Sequence, residues 1–282
     1  MKTTHAVWER ENIGVDAWEI ALDAQDTIEA LAEEERRIIA EGAEYIVLKS
    51  PVNCPQLLFG LTGLGYTFVE TVFHVEIRRK DYHMPETIAR FDRGLTVVER
   101  TDPENQARID RIIRSGIFIS DRVSIDPAFS VPLGGRRYAN WLRSMVEKGG
   151  RLYEVLQGEK PIGFFVICRK DEDAVDPVLM AMYDDVKDLN PLKYPALISL
   201  ILKECSTSMT NNEILSIATW AATNMSSLKF ETLGMPTSEL DKGGQMMNGV
   251  WYYVYDLEKA SKIIENFILE NDNDNEQAEQ SA

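Results

Sequence analysis

Apolar residues recur at two spacings along this chain, and the switch between them predicts its elements. Over residues 24–41 (AQDTIEALAEEERRIIAE), Ile28, Leu31, Ile38 and Ile39 fall near one stripe among acids and arginines. That spacing is helical, and Gly42 is placed to end the helix. Tyr45–Lys49 is a short β-rich run interrupted by Pro51, and residues 54–64 read as a second helix closing at Gly65. Tyr66–Ile77 (YTFVETVFHVEI) is dense in β-branched and aromatic residues, which predicts a long strand. Residues 1–85 therefore read as an N-terminal lobe with α-β-α-β order.

Residues 80–93 (KDYHMPETIARFDR) are polar, contain Pro85 and carry no period, so they read as a linker. A second domain is expected over residues 92–269. It opens with a strand at Leu95–Arg100. Asp102 is then suited to cap a helix that has Pro103 in its first turn and runs to Ser115. Val123–Ile125 reads as brief and extended, and Arg136–Lys148 as a helix ended by Gly149-Gly150. Arg151–Leu156 and Ile162–Ile167 are strands joined by the hairpin signal Gln157-Gly158-Glu159-Lys160, and Val178–Tyr183 is a third strand. There follow an apolar helix at Pro195–Cys205, a strand at Ile214–Trp220, a helix at Asn224–Thr232 stopped by Leu233-Gly234-Met235, a strand at Trp251–Asp256 and a helix at Glu258–Leu269. Residues 270–282 (ENDNDNEQAEQSA) read as a disordered acidic tail. This order predicts an α/β fold (an α+β mixed sheet) with part of the sheet antiparallel.

Composition narrows the function classes. The chain has 282 residues, 44% hydrophobic and 27% charged, enough for a sizeable core. Its net charge of −16 excludes nucleic acid as the expected partner, because phosphate backbones are bound by basic surfaces. A local basic pocket for an anionic ligand remains compatible with it. The three cysteines, Cys54, Cys168 and Cys205, are far apart and lack CxxC spacing, so neither a disulfide nor a metal site is expected. No basic stretch followed by an apolar run opens the chain, and no apolar run approaches the ~20 residues that span a bilayer. A cytoplasmic protein with no membrane partner is the natural reading.

Several short motifs resemble one family. The stretch from Asn224 to Met235 resembles the "N-x-x-A-L-R-F-Y-E-x-L-G-F" signature of the GNAT superfamily of acyl-CoA-dependent N-acyltransferases. Gly163-Phe164 resembles the "x-G-F" start of that family's central strand. Arg122-Val-Ser-Ile-Asp126-Pro127, followed by Arg137-Tyr138 and Trp141, is similar to the "DRF-x-x-D-P … Y-x-x-W" stretch of nucleotide-sugar N-acetyltransferases similar to dTDP-fucosamine acetyltransferase. Leu64-Gly65-Tyr66-Thr-Phe68-Val-Glu70-Thr71 resembles the "L-G-F-x-F-V-D-T" strand of the extra α/β lobe that precedes their GNAT domain.

The resemblance implies acetyl-CoA as acyl donor and a primary amine, such as an amino sugar, as acceptor. A homodimer is one assembly open to it. In the family two sheet strands splay to admit pantetheine, and backbone amides at the next helix start hold the pyrophosphate. The corresponding segment here, residues 189–196 (LNPLKYPA), has no glycine, and Lys193 and Tyr194 are its candidate cofactor contacts. Backbone amides around Met182 and Tyr183 would polarise the thioester carbonyl. Candidate catalytic groups at the same strand end are Tyr183, Asp184 and Asp185, although a solvated loop carboxylate would also explain either aspartate. Asn224 is placed to reach the pantetheine arm, to cap its helix, or both. Arg122, Asp126, Tyr138 and Trp141 either line the acceptor pocket or act in folding. The family's tyrosine acid is missing, because the segment reads Phe230-Glu231-Thr232-Leu233. Tyr194, Tyr253 and Tyr255 are the alternatives. A catalytically degenerate protein that binds a ligand or regulates is the competing reading.

Overall fold

The computed structural model describes residues 1–51, 54–81, 93–118, 122–126, 129, 131–183, 193–220 and 245–254. The predicted helices after Asn224 and Glu258, the linker beyond Asp81 and the acidic tail lie outside these residues. The chain forms two compact units, each assembled from separate stretches of sequence. The first takes Met1–Glu70 with the described residues of Ile119–Arg137 and Asn248–Ala282. The second takes Thr71–Phe118 and the described residues of Tyr138–Met247.

The first unit opens with β1 (Lys2–His5), α1 (Val7–Ile13) and β2 (Ala17–Ala21), three short elements whose charged residues hid them in the sequence. Helix α2 (Ile28–Ala40) follows, capped by Thr27, whose Oγ1 accepts from the Ala30 amide at 3.2 Å. Its stripe buries Leu31 and Ile38 against Ile20, Ile46, Leu48 and Leu61. Helix α2 carries the chain from β2 to the parallel strand β3 (Tyr45–Pro51). After α3 (Pro55–Gly63), strand β4 (Thr67–Arg78) leads toward the second unit. Strand β10 (Gln245–Val254) returns antiparallel to β3, with Trp251 opposite Leu48.

The second unit is built on six adjacent strands in the order β4-β9-β8-β7-β6-β5. Strands β5 (Leu95–Glu99), β6 (Arg151–Gln157), β7 (Lys160–Asp171) and β8 (Ala174–Met182) pair antiparallel in sequence. Strand β9 (Ile214–Trp220) lies parallel to β8 and antiparallel to β4. Helix α4 (Pro103–Arg114) starts where predicted, with Asp102 accepting from the Asn105 amide at 2.8 Å. It buries Ile109 and Ile113 one turn apart. These pack with Tyr138, Leu142 and Met145 of α6 (Val131–Glu147) and with Leu197, Leu200 and Ile201 of α7 (Lys193–Thr207) around Val155, Phe164 and Phe165.

Four local readings need correction, the first being β10, which starts at Gln245 rather than Trp251. Val123–Ile125 is not extended. Arg122–Ile125 is a helical turn, α5, closed by the Asp126 amide on the Arg122 carbonyl at 3.1 Å. Burial of Val123 and the Arg122–Glu9 ion pair override the β-branched propensity there. Helix α6 starts at Val131 rather than Arg136, because the buried pair Gly134-Gly135 lies inside it instead of breaking it. Strand β8 starts at Ala174 rather than Val178. A register shift at Ile167–Pro177 lets the strand carry a proline that has no N–H to donate.

Candidate functional site

The feature of the second unit with the clearest chemical use is a parted strand pair. Among the described residues, β8 and β9 share a parallel ladder of only two pairs, Ala174 with Ile214 and Val175 with Leu215. Beyond that point β8 stays paired to β7 as far as Met182, opposite Gly163. Strand β9 stays paired to β4 as far as Trp220, opposite Val72. Each strand keeps its outer neighbour while their shared ladder ends.

The pleat decides what faces this gap. The Tyr183 amide donates to the Ile162 carbonyl at 3.1 Å, so the main chain of Tyr183 points toward β7. Main-chain groups alternate along a strand, and Met182 and Met180 therefore turn their N–H and C=O toward β9. The amide of Tyr183 is taken by the ladder. The amides of Met182, at the end of β8, and of Met180 are left facing the gap. Gly163 has its own reason here: a Cβ on it would lie 2.7 Å from the Ala181 carbonyl oxygen and 3.3 Å from Met182 Cα. The Gly-Phe pair thus permits the close approach of β7 to the end of β8.

The Tyr183 side chain runs across the sheet. Its ring stacks beside Phe164 (6.2 Å between centroids) and its hydroxyl donates to Glu154 Oε1 on β6 at 2.5 Å. Glu154 has 0% of its surface exposed. Arg108 Nη2 donates to both of its oxygens at 2.7 and 2.8 Å, and Arg100 Nε to Oε2 at 2.9 Å. Burial, the adjacent carboxylate and its hydrogen bond push the Tyr183 phenol well above its ordinary value, so it stays protonated. Burial opposes the Arg108 charge, but Glu154 outweighs it and the guanidinium is raised. Sequence reasoning missed Glu154, whose signal is an acid inside the apolar run Leu152–Leu156.

The other candidates fall as follows. Met182 is buried at the end of β8. Tyr138 and Trp141 sit on α6 with centroids 5.8 Å apart, and Phe118 stacks on Tyr138 at 4.4 Å and meets Phe164 at 6.3 Å. Tyr138 and Trp141 thereby join the aromatic cluster that reaches Tyr183. Lys193 and Tyr194 open helix α7, whose N-terminus lies just ahead of the predicted Pro195. Asp184, Asp185, Asn224 and Tyr255 lie outside the described residues.

Arg122 belongs to the first unit. There it pairs with buried Glu9, which Arg137 Nε and Nη2 also hold at 2.7–3.0 Å. Burial raises the Glu9 carboxyl, but Arg137 and Arg122 overcome this and hold it below the usual range. Asp126 accepts from the Tyr45 hydroxyl at 2.9 Å. Both acids are tied to residues that the motif alone does not identify.

A cleft of about 480 Å³ opens between α4 and α6, lined by Pro103, Gln106, Asp110, Leu142, Arg143 and Leu152 among others. It sits at the Leu152–Val166 end of the β6–β7 ladder, away from the Gly163–Met182 end that borders the gap. Among the described residues no group of His, Cys, Asp and Glu is arranged to hold a metal, and no helix is long and apolar enough to cross a membrane. All three cysteines are free.

No family model matches the chain, and no curated protein does. Solved structures are similar to it. A GCN5-related N-acetyltransferase from Kribbella flavida is 12% identical, with 84% of this chain and 80% of that one covered and a TM-score of 0.50. A functionally unknown conserved protein from Staphylococcus epidermidis is 10% identical over 84% and 82%, with a TM-score of 0.46. A GCN5-related N-acetyltransferase from Sphaerobacter thermophilus is 9% identical over 80% and 66%, also at 0.46. The likeness is one of fold, and the mixed α/β architecture of this chain is that of the GCN5-related N-acetyltransferases.

Proposed function

We propose that this chain is an acyl-CoA-dependent N-acyltransferase that takes an acyl-CoA, acetyl-CoA in the simplest case, into the β8–β9 gap and transfers the acyl group to a primary amine. The observation that carries this reading is the parallel pair that parts after Val175 and Leu215. An extended ligand with amides of its own, such as a pantetheine arm, can pair with the groups Met180 and Met182 present there. Lys193 and Tyr194 open the helix whose N-terminal amides are assigned to the pyrophosphate. Asn224 is assigned to the arm.

In the reaction the amine nitrogen attacks the thioester carbonyl and a C–N bond forms. The C–S bond breaks, the thiolate leaves and the nitrogen loses a proton. The Met182 N–H is assigned to the carbonyl oxygen as negative charge develops on it. Asp184 is assigned as the base. Tyr183 is not suited to that role, since its proton is bound to Glu154 and its phenol is held protonated. A thiol of ordinary pKa near 8.5 is a fair leaving group at neutral pH, so a missing acid slows turnover by roughly 10²–10⁴-fold without forbidding it.

An amino sugar is the first acceptor to test, with Tyr138 and Trp141 as its proposed contacts. The net charge of −16 favours acceptors that carry little negative charge.

The test is thermal denaturation of the pure protein with acetyl-CoA. At about 100 times Kd, binding adds about 2.7 kcal/mol and raises Tm. No shift overturns the proposal. The Tyr183–Glu154 commitment also favours a second reading, a binding protein without turnover. A Tm shift with no thiol release across a panel of amines selects it.

A further inference from the structure

Glu154 has no part in the reaction just described, yet among the described residues of the second unit it is the most fully enclosed acidic side chain, at 0% exposure. A buried ion pair is a poor stabiliser, because desolvation consumes most of the Coulombic gain, and an apolar side chain would fill the same space at least as well. What a carboxylate adds is direction. Two arginines hold it from outside β6: Arg100, beyond the end of β5, and Arg108, on α4. The oxygen so fixed accepts the Tyr183 hydroxyl. Tyr183 immediately follows Met182, and its own amide is tied to Ile162. The residue that immediately follows β8 is thus held twice, by its main chain to β7 and by its side chain to β6.

We propose that Glu154, held by Arg100 and Arg108, is a positioning residue that locks the Tyr183 end of β8 through the phenol and so fixes the direction of the Met182 amide in the gap. The functional consequence rests on the acyl-CoA reading of that gap. The lock itself does not. It makes preorganised binding depend on a hydroxyl that touches no ligand. Tyr183→Phe removes only the oxygen and leaves the ring on Phe164. Glu154→Gln keeps the shape and removes the charge.

Amide hydrogen exchange tests the lock directly. In Tyr183→Phe the amide at position 183 should exchange about tenfold faster, while amides in the middle of the β6–β7 ladder, such as that of Phe165 opposite Tyr153, keep their rates. Unchanged exchange at 183, or equal acceleration across the sheet, overturns the proposal, the second because it is the mark of a merely structural role. Acetyl-CoA binding by calorimetry, well below the melting temperature of each variant, is the second arm. Kd should rise about tenfold in Tyr183→Phe and in Glu154→Gln, and by no more in the double variant, since both break one link. A wild-type protein that binds acetyl-CoA, with variants that bind equally well, overturns the positioning role. If the wild type binds none, the acyl-CoA reading fails and the lock is decided by exchange alone. If Glu154→Gln does not fold, Tyr183→Phe carries both arms.

Discussion

Replacing Asp176 with asparagine should stabilise the protein at neutral pH. Asp176 directly follows Val175, the last β8 residue paired to β9, and lies opposite Cys168 on β7. Burial lifts its carboxyl from the ordinary 3.8 to about 6, and the Lys170 charge offsets this only in part. Its charge in turn adds to the burial that pushes up the Cys168 and Cys205 thiols. The folded form therefore holds this proton more tightly than the unfolded form. The resulting stability is complete below pH 3.8 and is lost as pH rises through about 6. A shift of about 2 units at 1.36 kcal/mol each makes the loss about 3 kcal/mol, most of it between pH 4.5 and 7.5.

Asparagine cannot ionise and escapes that loss, at the cost of a half-buried amide that needs partners, about 1 kcal/mol. The variant should thus be more stable by about 1–2 kcal/mol at pH 7.5 and level with or slightly below the wild type at pH 4.5. Urea denaturation of both proteins at pH 4.5, 6.0 and 7.5 reads the difference, with unchanged m-values showing that the denatured state is not the cause. A difference that does not grow by about 2 kcal/mol across that range refutes the reasoning. So does a variant that is the weaker protein at pH 7.5.

Other substitutions probe separate links. Glu9→Gln leaves Arg122 and Arg137 on a neutral amide and should cost about 2–4 kcal/mol at pH 7. The folded carboxyl is depressed from 4.5, so this contribution is present above pH 4.5 and lost as pH falls through the folded value; the two urea curves should converge in acid. Gly163→Ala forces a methyl onto the Ala181 carbonyl oxygen, which is backbone and cannot rotate away, and should lower stability by about 1–3 kcal/mol in thermal denaturation. Asp102→Ala removes the acceptor for the Asn105 amide and should cost about 1 kcal/mol, with m unchanged.

What the sequence made legible follows from how local each signal was. Strand β9 is legible at its observed bounds because Ile214–Trp220 is rich in apolar and β-branched residues and follows the polar turn Thr210–Glu213. Helices α2 and α4 are legible because a stripe sits close to a terminal signal in each, Gly42 after α2 and Asp102-Pro103 before α4. Elements held by distant partners were not legible. The turn at Arg122–Ile125 depends on Glu9, and β1, α1 and β2 are too short to show a period. Gly134-Gly135 reads as a breaker until its burial inside α6 is seen.

The candidate site divides along the same line. Met182 and Tyr183 were placed at the end of β8 from local pattern, but which amide faces the gap is set by ladder phase. That phase depends on the pairing of Tyr183 with Ile162, which no local motif encodes. Glu154 lies 29 residues from Tyr183 and its arginines come from the β5–α4 region. A single sequence shows it only as an acid misplaced in an apolar strand. Such a misplaced charge is informative in itself. A strand that buries a carboxylate at full desolvation needs partners to neutralise it, and here Arg100, just past β5, and Arg108, within α4, supply them. Oε1, which Arg108 also holds, then takes the hydroxyl of Tyr183, the residue that follows the parted strand, and so ties the buried charge to the site.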